Sequence, residues 1–86
     1  MELKDTAKLM ASNDYKQRFV AEYMQVKIRL EKLKITVNAF EKGILSFQPI
    51  CPITILHEQI KVMESYLDVL ERRAQVEKIS LPMEQR

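Results

Sequence analysis

The stretch Asp14-Tyr15-Lys16-Gln17-Arg18-Phe19-Val20-Ala21-Glu22-Tyr23 is the part of this chain best equipped for chemistry. It places three aromatic rings and two cations within ten positions. Aromatic faces stack on nucleobases, and lysine or arginine pairs with phosphate. If the stretch opens a helix, free backbone N–H groups in the first turn add a place for an anion. Lys27 and Arg29 extend the basic surface one or two turns on, and Arg72-Arg73 offer guanidinium groups from much later in the chain. A plainer reading makes Phe19 and Tyr23 core residues and leaves the cations solvated. Tyr15, Lys16 and Arg18 escape it best, because they stand off the apolar seam described below.

Other chemistry is thinly represented. There is no glycine-rich phosphate loop, no GxSxG, no HExxH and no Cys/His cluster, so nothing points to an enzyme. His57 is the only histidine and Cys51 the only cysteine, which argues against a zinc site and forbids an internal disulfide. His57 reads as a rim histidine, and Cys51 as a buried or capping residue beside Pro52. Asp68 and Arg72 form an ordinary i,i+4 pair on a solvated face. No metal and no cofactor is expected.

Helices must position these groups. Gly43 is the only glycine, and Pro49, Pro52 and Pro82 are the only prolines, so long stretches lack either breaker. Residues 2–11 suit a short helix with Leu3, Ala7 and Met10 on one side. Ser12-Asn13-Asp14 then supplies N-cap chemistry. From about 14 to 42, Phe19, Tyr23, Val26, Leu30, Leu33, Val37 and Phe40 step alternately by 4 and 3, a heptad seam. Gly43 suits the left-handed position that ends a helix.

The connector that follows is apolar, and Ile44, Phe47 and Ile50 are expected to fold back over the hairpin end. Pro52 suits the first position of the next helix. From 52 to about 78, Ile53, Leu56, Ile60, Met63, Leu67, Leu70 and Ala74 repeat the seam. Ser80-Leu81-Pro82 should stop it, leaving a loose tail to Arg86. At ~1.5 Å per residue each long helix spans roughly 40 Å, and two matched seams predict an antiparallel helical hairpin. The expected fold is all-α, one small hairpin domain over residues 1–86 with a short N-terminal helix.

Each long helix carries more apolar surface than one seam needs. Val20, Met24, Ile28 and Ile35 lie off the seam of the first, while Ile55, Val62, Val69 and Val76 recur every seven residues on the second with Tyr66 beside them. A chain of 86 residues buries only roughly 60% of its unfolded surface. Soluble monomers avoid contiguous apolar patches, so an oligomeric bundle is expected, with Val20, Met24, Ile28, Ile35, Val62, Tyr66 and Val69 at its interfaces. The alternative is that Met1–Ala11 folds back over one stripe.

The net charge is +2, with nine Lys/Arg against six Asp/Glu in residues 1–43 and five against six in 44–86. The first half can attract a small anion, but it is too weakly basic for duplex nucleic acid. Met1-Glu2-Leu3-Lys4-Asp5 is charged, and no segment approaches the ~20 apolar residues of a membrane span. A cytoplasmic location without membrane contact is expected, with Cys51 reduced.

The run Asp14-Tyr15-Lys16-x-Arg18-Phe19-x-x-Glu22-Tyr23, the pair Cys51-Pro52, and Met63-x-x-Tyr66-Leu67-x-x-Leu70-Glu71-x-Arg73-Ala74 are similar to those of small gut-phage and prophage proteins. The similarity covers nearly the whole chain, and these small proteins resemble the helical-hairpin domain shared by phage anti-CBASS and anti-Thoeris sponges. That resemblance implies a non-enzymatic counter-defence protein in the host bacterial cytoplasm, assembled as a symmetric homo-oligomer, often a hexamer. It would sequester cyclic di- or trinucleotides or cyclic ADP-ribose variants without cleaving them. The family's pockets use an aromatic residue near the start of the first long helix and a lysine further along it, matched here by Tyr15 and Lys27. Arg73 matches a basic position in the second helix. On this reading Tyr15 stacks on a base, and Lys16, Arg18, Lys27 and Arg73 meet phosphates. The competing reading is a coiled-coil adaptor that binds a host or phage protein through an exposed apolar face.

Overall fold

The computed structural model describes residues 1–82, so the expected loose tail lies mostly outside the described residues. Three helices and no strand occur among them: α1 (Leu3–Met10), α2 (Tyr15–Glu41) and α3 (Ile53–Glu77). The cross-helix pairs Tyr15–Glu77, Tyr23–Glu71, Lys34–Glu64 and Glu41–His57 run in opposite order along α2 and α3, which makes the hairpin antiparallel. The molecule measures 43 × 24 × 24 Å.

Local chemistry sets the helix ends. Asp14 caps α2 by accepting the Lys16 backbone N–H at 2.9 Å, and Ser12 Oγ accepts the Asp14 N–H at 3.0 Å. At the other end Gly43 takes φ +72, its N–H reaches Phe40 O, and the Ile44 N–H reaches Ala39 O at 3.0 Å. This paired return satisfies carbonyls that the helix would otherwise leave open. Pro52 precedes α3 as its N-cap rather than standing inside it. At its far end α3 stops at Glu77, before Ser80-Leu81-Pro82, because Lys78 adopts a left-handed φ of 58 and the Ile79 N–H returns to Ala74 O at 2.9 Å. Ile79 then turns into the core.

Both seams face inward. On α2, Phe19, Tyr23, Leu30 and Val37 are buried and Val26, Leu33 and Phe40 half-buried; on α3, Leu70 and Ala74 are buried and the rest half-buried. The densest packing gathers Phe19, Tyr23, Met24, Ile28, Leu70, Ala74 and Ile79, with Leu3, Val20, Leu67 and Leu81 against them.

α1 changes the account of the outer stripe. It packs on α2, where Gln25 Nε2 donates to Thr6 Oγ1 at 3.1 Å and Ala21 is wholly covered. Val20, Met24 and Ile28, expected at an interface between chains, therefore pack within the protomer. α1 turns Leu3, Thr6 and Leu9 inward, while Ala7 and Met10 stay exposed, so its inner face is rotated from the expected Leu3–Ala7–Met10 side. Thr6 is buried without cost because its hydroxyl donates to Leu3 O at 2.7 Å.

The connector also departs from expectation. Ile44, Phe47 and Ile50 are exposed, and Leu45, Pro49 and Cys51 are the half-buried members.

Candidate functional site

The first turn of α2 and the last turns of α3 meet at the end of the hairpin that α1 braces. Tyr15 opens α2, and Phe19 follows one turn later on the same side, their rings 6.3 Å apart edge to face. Arg73 and Glu77 stand one turn apart on α3. The Arg73 guanidinium carbon lies 4.9 Å from the centre of the Phe19 ring, a cation–π distance. Arg73 Nη2 donates to Tyr15 Oη at 3.0 Å, and Tyr15 Oη donates to Glu77 Oε1 at 2.7 Å. Arg73 Nε completes the ring of contacts by donating to Glu77 Oε2 at 3.3 Å.

Electrostatics follow from this closed set. The Glu77 carboxylate beside the Tyr15 hydroxyl holds the phenol above its ordinary 10.0. The Tyr15 hydrogen bond lowers Glu77, with Arg73 acting in the same direction. Tyr15 stays protonated and Glu77 ionised across the neutral range. All three side chains remain partly exposed, so a ligand in water can reach them.

The same device recurs along the hairpin. Tyr23 donates to Glu71 Oε2 at 2.8 Å, and Tyr66 on α3 donates to the Glu22 carboxylate on α2. That carboxylate raises the Tyr66 phenol in turn. All three tyrosines of the chain thus bond to a glutamate on the opposite long helix.

Of the expected ligand residues, the structure brings Tyr15 and Arg73 into direct contact. Lys16 is exposed in the same first turn of α2. Arg18 instead reaches back to the α1–α2 turn, where Nη1 donates to Ser12 O at 2.9 Å. Lys27 stands apart: it is 8% exposed, its Nζ is 5.9 Å from the Tyr23 ring centre, and it lies about three turns, or ~18 Å, along α2 from Tyr15. One protomer does not unite Tyr15 and Lys27 in one pocket. Glu77 and the cation–π role of Phe19 were not foreseen. The Arg73/Glu77 i,i+4 spacing was the available signal, but such pairs are common on solvated faces.

Open grooves run along the hairpin among the described residues. One of about 470 Å³ is lined by Thr54, His57, Glu58, Ile60, Lys61 and Glu64; one of about 240 Å³ by Glu71, Ala74, Gln75, Ile79 and Leu81. Neither includes Tyr15 or Arg73. His57 is exposed and its Nε2 stands 3.2 Å from Glu41 Oε2, across the hairpin. Among the described residues no group of three or more His, Cys, Asp or Glu is placed to hold a metal, and no helix is long and apolar enough to cross a membrane.

Of the interface candidates, Ile35, Val62, Tyr66 and Val69 are exposed, as are Ile55 and Val76 in the same α3 heptad stripe. A family model, described as Sequestin, matches residues 13–76, which takes in all of α2, the connector and α3 to its penultimate residue. No curated protein and no solved structure matches the chain.

Proposed function

Because the chain belongs to the Sequestin family, the phage anti-CBASS and anti-Thoeris sponges, we propose that it sequesters a cyclic nucleotide immune signal without cleaving it. The family suggests sequestration as the coarse function, and the finer reading rests on one feature of the site. Tyr15 presents an aromatic face beside the Arg73 guanidinium, at the positive end of a helix 27 residues long. A nucleotide needs that combination: a face for the base and a planar cation for the phosphate. Lys16 in the same turn adds a second charge. The cluster is open on one side, so a partner chain is needed to enclose a ligand.

We assign the enclosing chain to a second copy of this protein. Ile55, Val62, Tyr66, Val69 and Val76 form an exposed stripe along α3, and burying a Val or Ile fully is worth ~1.5–3 kcal/mol. The assembly acts in the host cytoplasm, where the signal is produced.

Calorimetry against cyclic di- and trinucleotides and cyclic ADP-ribose isomers tests the reading. The expected result is tight binding of at least one of them, recovery of that ligand intact after heat denaturation, and loss of affinity in Tyr15→Ala and Arg73→Ala. Silence across the panel, together with capture of a defined host protein, would replace the sponge by an adaptor. Recovery of a cleaved ligand would replace it by an enzyme.

A further inference from the structure

We propose that Glu77 is a built-in stand-in for the ligand's phosphate: its carboxylate fills a two-oxygen anion site made by Tyr15 and Arg73, and an incoming phosphate displaces it. This inference rests on the reading that the Tyr15–Arg73 cluster binds a phosphorylated ligand.

The donor geometry carries it. Each Glu77 oxygen has its own donor, Tyr15 Oη for Oε1 at 2.7 Å and Arg73 Nε for Oε2 at 3.3 Å. The Arg73 Nη2 contact to Tyr15 Oη, at 3.0 Å, holds the two donors together. Phe19 fixes the guanidinium from behind at 4.9 Å. A phosphate diester also presents two non-bridging oxygens that share one negative charge, so donors set for a carboxylate suit it too. The phenol raised by Glu77 and the carboxyl lowered by Tyr15 mark the site as one that favours an anion next to a protonated tyrosine.

The occupant is easily displaced. Glu77 and Arg73 form an i,i+4 pair with side chains 33% and 45% exposed, and such surface pairs hold weakly. A phosphate can use more of the five N–H donors of Arg73 than the carboxylate does here. The competing role for Glu77 is to position Tyr15 and Arg73 for the ligand, and the two roles predict opposite signs on its removal. A displaced competitor lowers affinity while present; a positioning residue raises it.

The experiment uses the full chain as wild type, Glu77→Gln, Glu77→Ala and Arg73→Ala, with folding checked by circular dichroism. Pyrophosphate and the nucleotide panel are both titrated by calorimetry, and the Arg73 Nε–H resonance is followed in the wild type and the Glu77 variants, which retain it. Both Glu77 variants should bind pyrophosphate on the order of 5-fold tighter, since a like charge a few ångströms away is removed. Arg73→Ala should abolish binding. Unchanged or weaker binding in Glu77→Gln overturns the proposal, as does a wild type and variants all indifferent to pyrophosphate. Tighter pyrophosphate binding with a silent nucleotide panel keeps the anion site and removes the sponge reading. Nucleotide binding indifferent to Glu77 does the reverse.

Discussion

At one end of the hairpin α1 packs on α2, and the segment after α3 turns back into the core. Phe19, Tyr23, Met24, Ile28, Leu70, Ala74 and Ile79 are all buried there. At the connector end there are only α2 and α3. Leu33, Phe40, Ile53, Leu56, Ile60 and Met63 are no more than half-buried, and Ile35, Ile44, Phe47, Ile55 and Val62 are exposed. Both ends are built from the same seam pattern, so the difference is not in the helices themselves. It comes from what else packs there: α1 lies against α2, and Ile79 and Leu81 turn in after α3, cover that the other end lacks. An amphipathic helix is stabilised mainly by what its apolar face packs against. The uncovered end is therefore where another chain has most to contribute.

The largest effect expected from this contrast is on association. Ile35→Glu with Val62→Glu places charges on the uncovered surface, and should weaken self-association by about 3–6 kcal/mol, the worth of burying two aliphatic side chains. Sedimentation at micromolar concentration reads it. A wild type that sediments as a single copy would remove the proposed assembly, and an oligomeric mass unchanged in the variant would move its interface to another surface.

Within the protomer, the braced end should be the costlier one to damage. Leu70→Ala, at 1% exposure, should lose about 3 kcal/mol in urea unfolding, against about 1 kcal/mol for the half-buried Leu56→Ala. Equal losses would erase the distinction between the ends.

A smaller effect, of opposite sign, comes from the end of α3. Lys78 holds a left-handed φ of 58, which an L side chain adopts at a cost of roughly 1–2 kcal/mol. Lys78→Gly should raise the melting temperature by a few degrees, stabilising the braced end by about 1 kcal/mol. A lower melting temperature would indicate that the lysine side chain contributes more than its backbone conformation costs.

The smallest effect is on pH. Glu77 is lowered, first by the Tyr15 hydrogen bond, so the stability it contributes is present above its ordinary 4.5 and fades as pH falls through the depressed folded value. Tyr15 is raised by Glu77, so its contribution is complete below 10.0 and fades as pH rises through the raised value. The melting difference between wild type and Tyr15→Phe should be flat from mildly acidic to mildly alkaline pH and shrink outside that window. A difference that instead changes near pH 7 would require another titrating group.

Much of this was legible in residue order because it is decided locally. A 4–3 spacing marks an inward face wherever the helix lies, and Asp14, Gly43 and Pro52 act on backbone groups within a few residues of themselves. The seam from Phe19 to Phe40 and that from Ile53 to Ala74 needed nothing more. The candidate site was legible only in part. Tyr15 was marked by its type and its place beside cations, but Glu77 is 62 residues away, and nothing in the spacing couples them.

The composition and periodicity of the chain by themselves determined two long helices, their inner faces and an apolar surplus. Only tertiary structure decided where that surplus goes. α1 could have lain on either outer stripe or neither; it docked on α2, where Gln25 meets Thr6, Met24 and Ile28 are buried and Val20 is half-buried against them. The pairing of α2 with α3 brought Arg73 onto Phe19. The physical reason is one of range: periodicity and capping act over a turn or two of chain, whereas burial and cross-helix bonds depend on how whole helices rotate against each other.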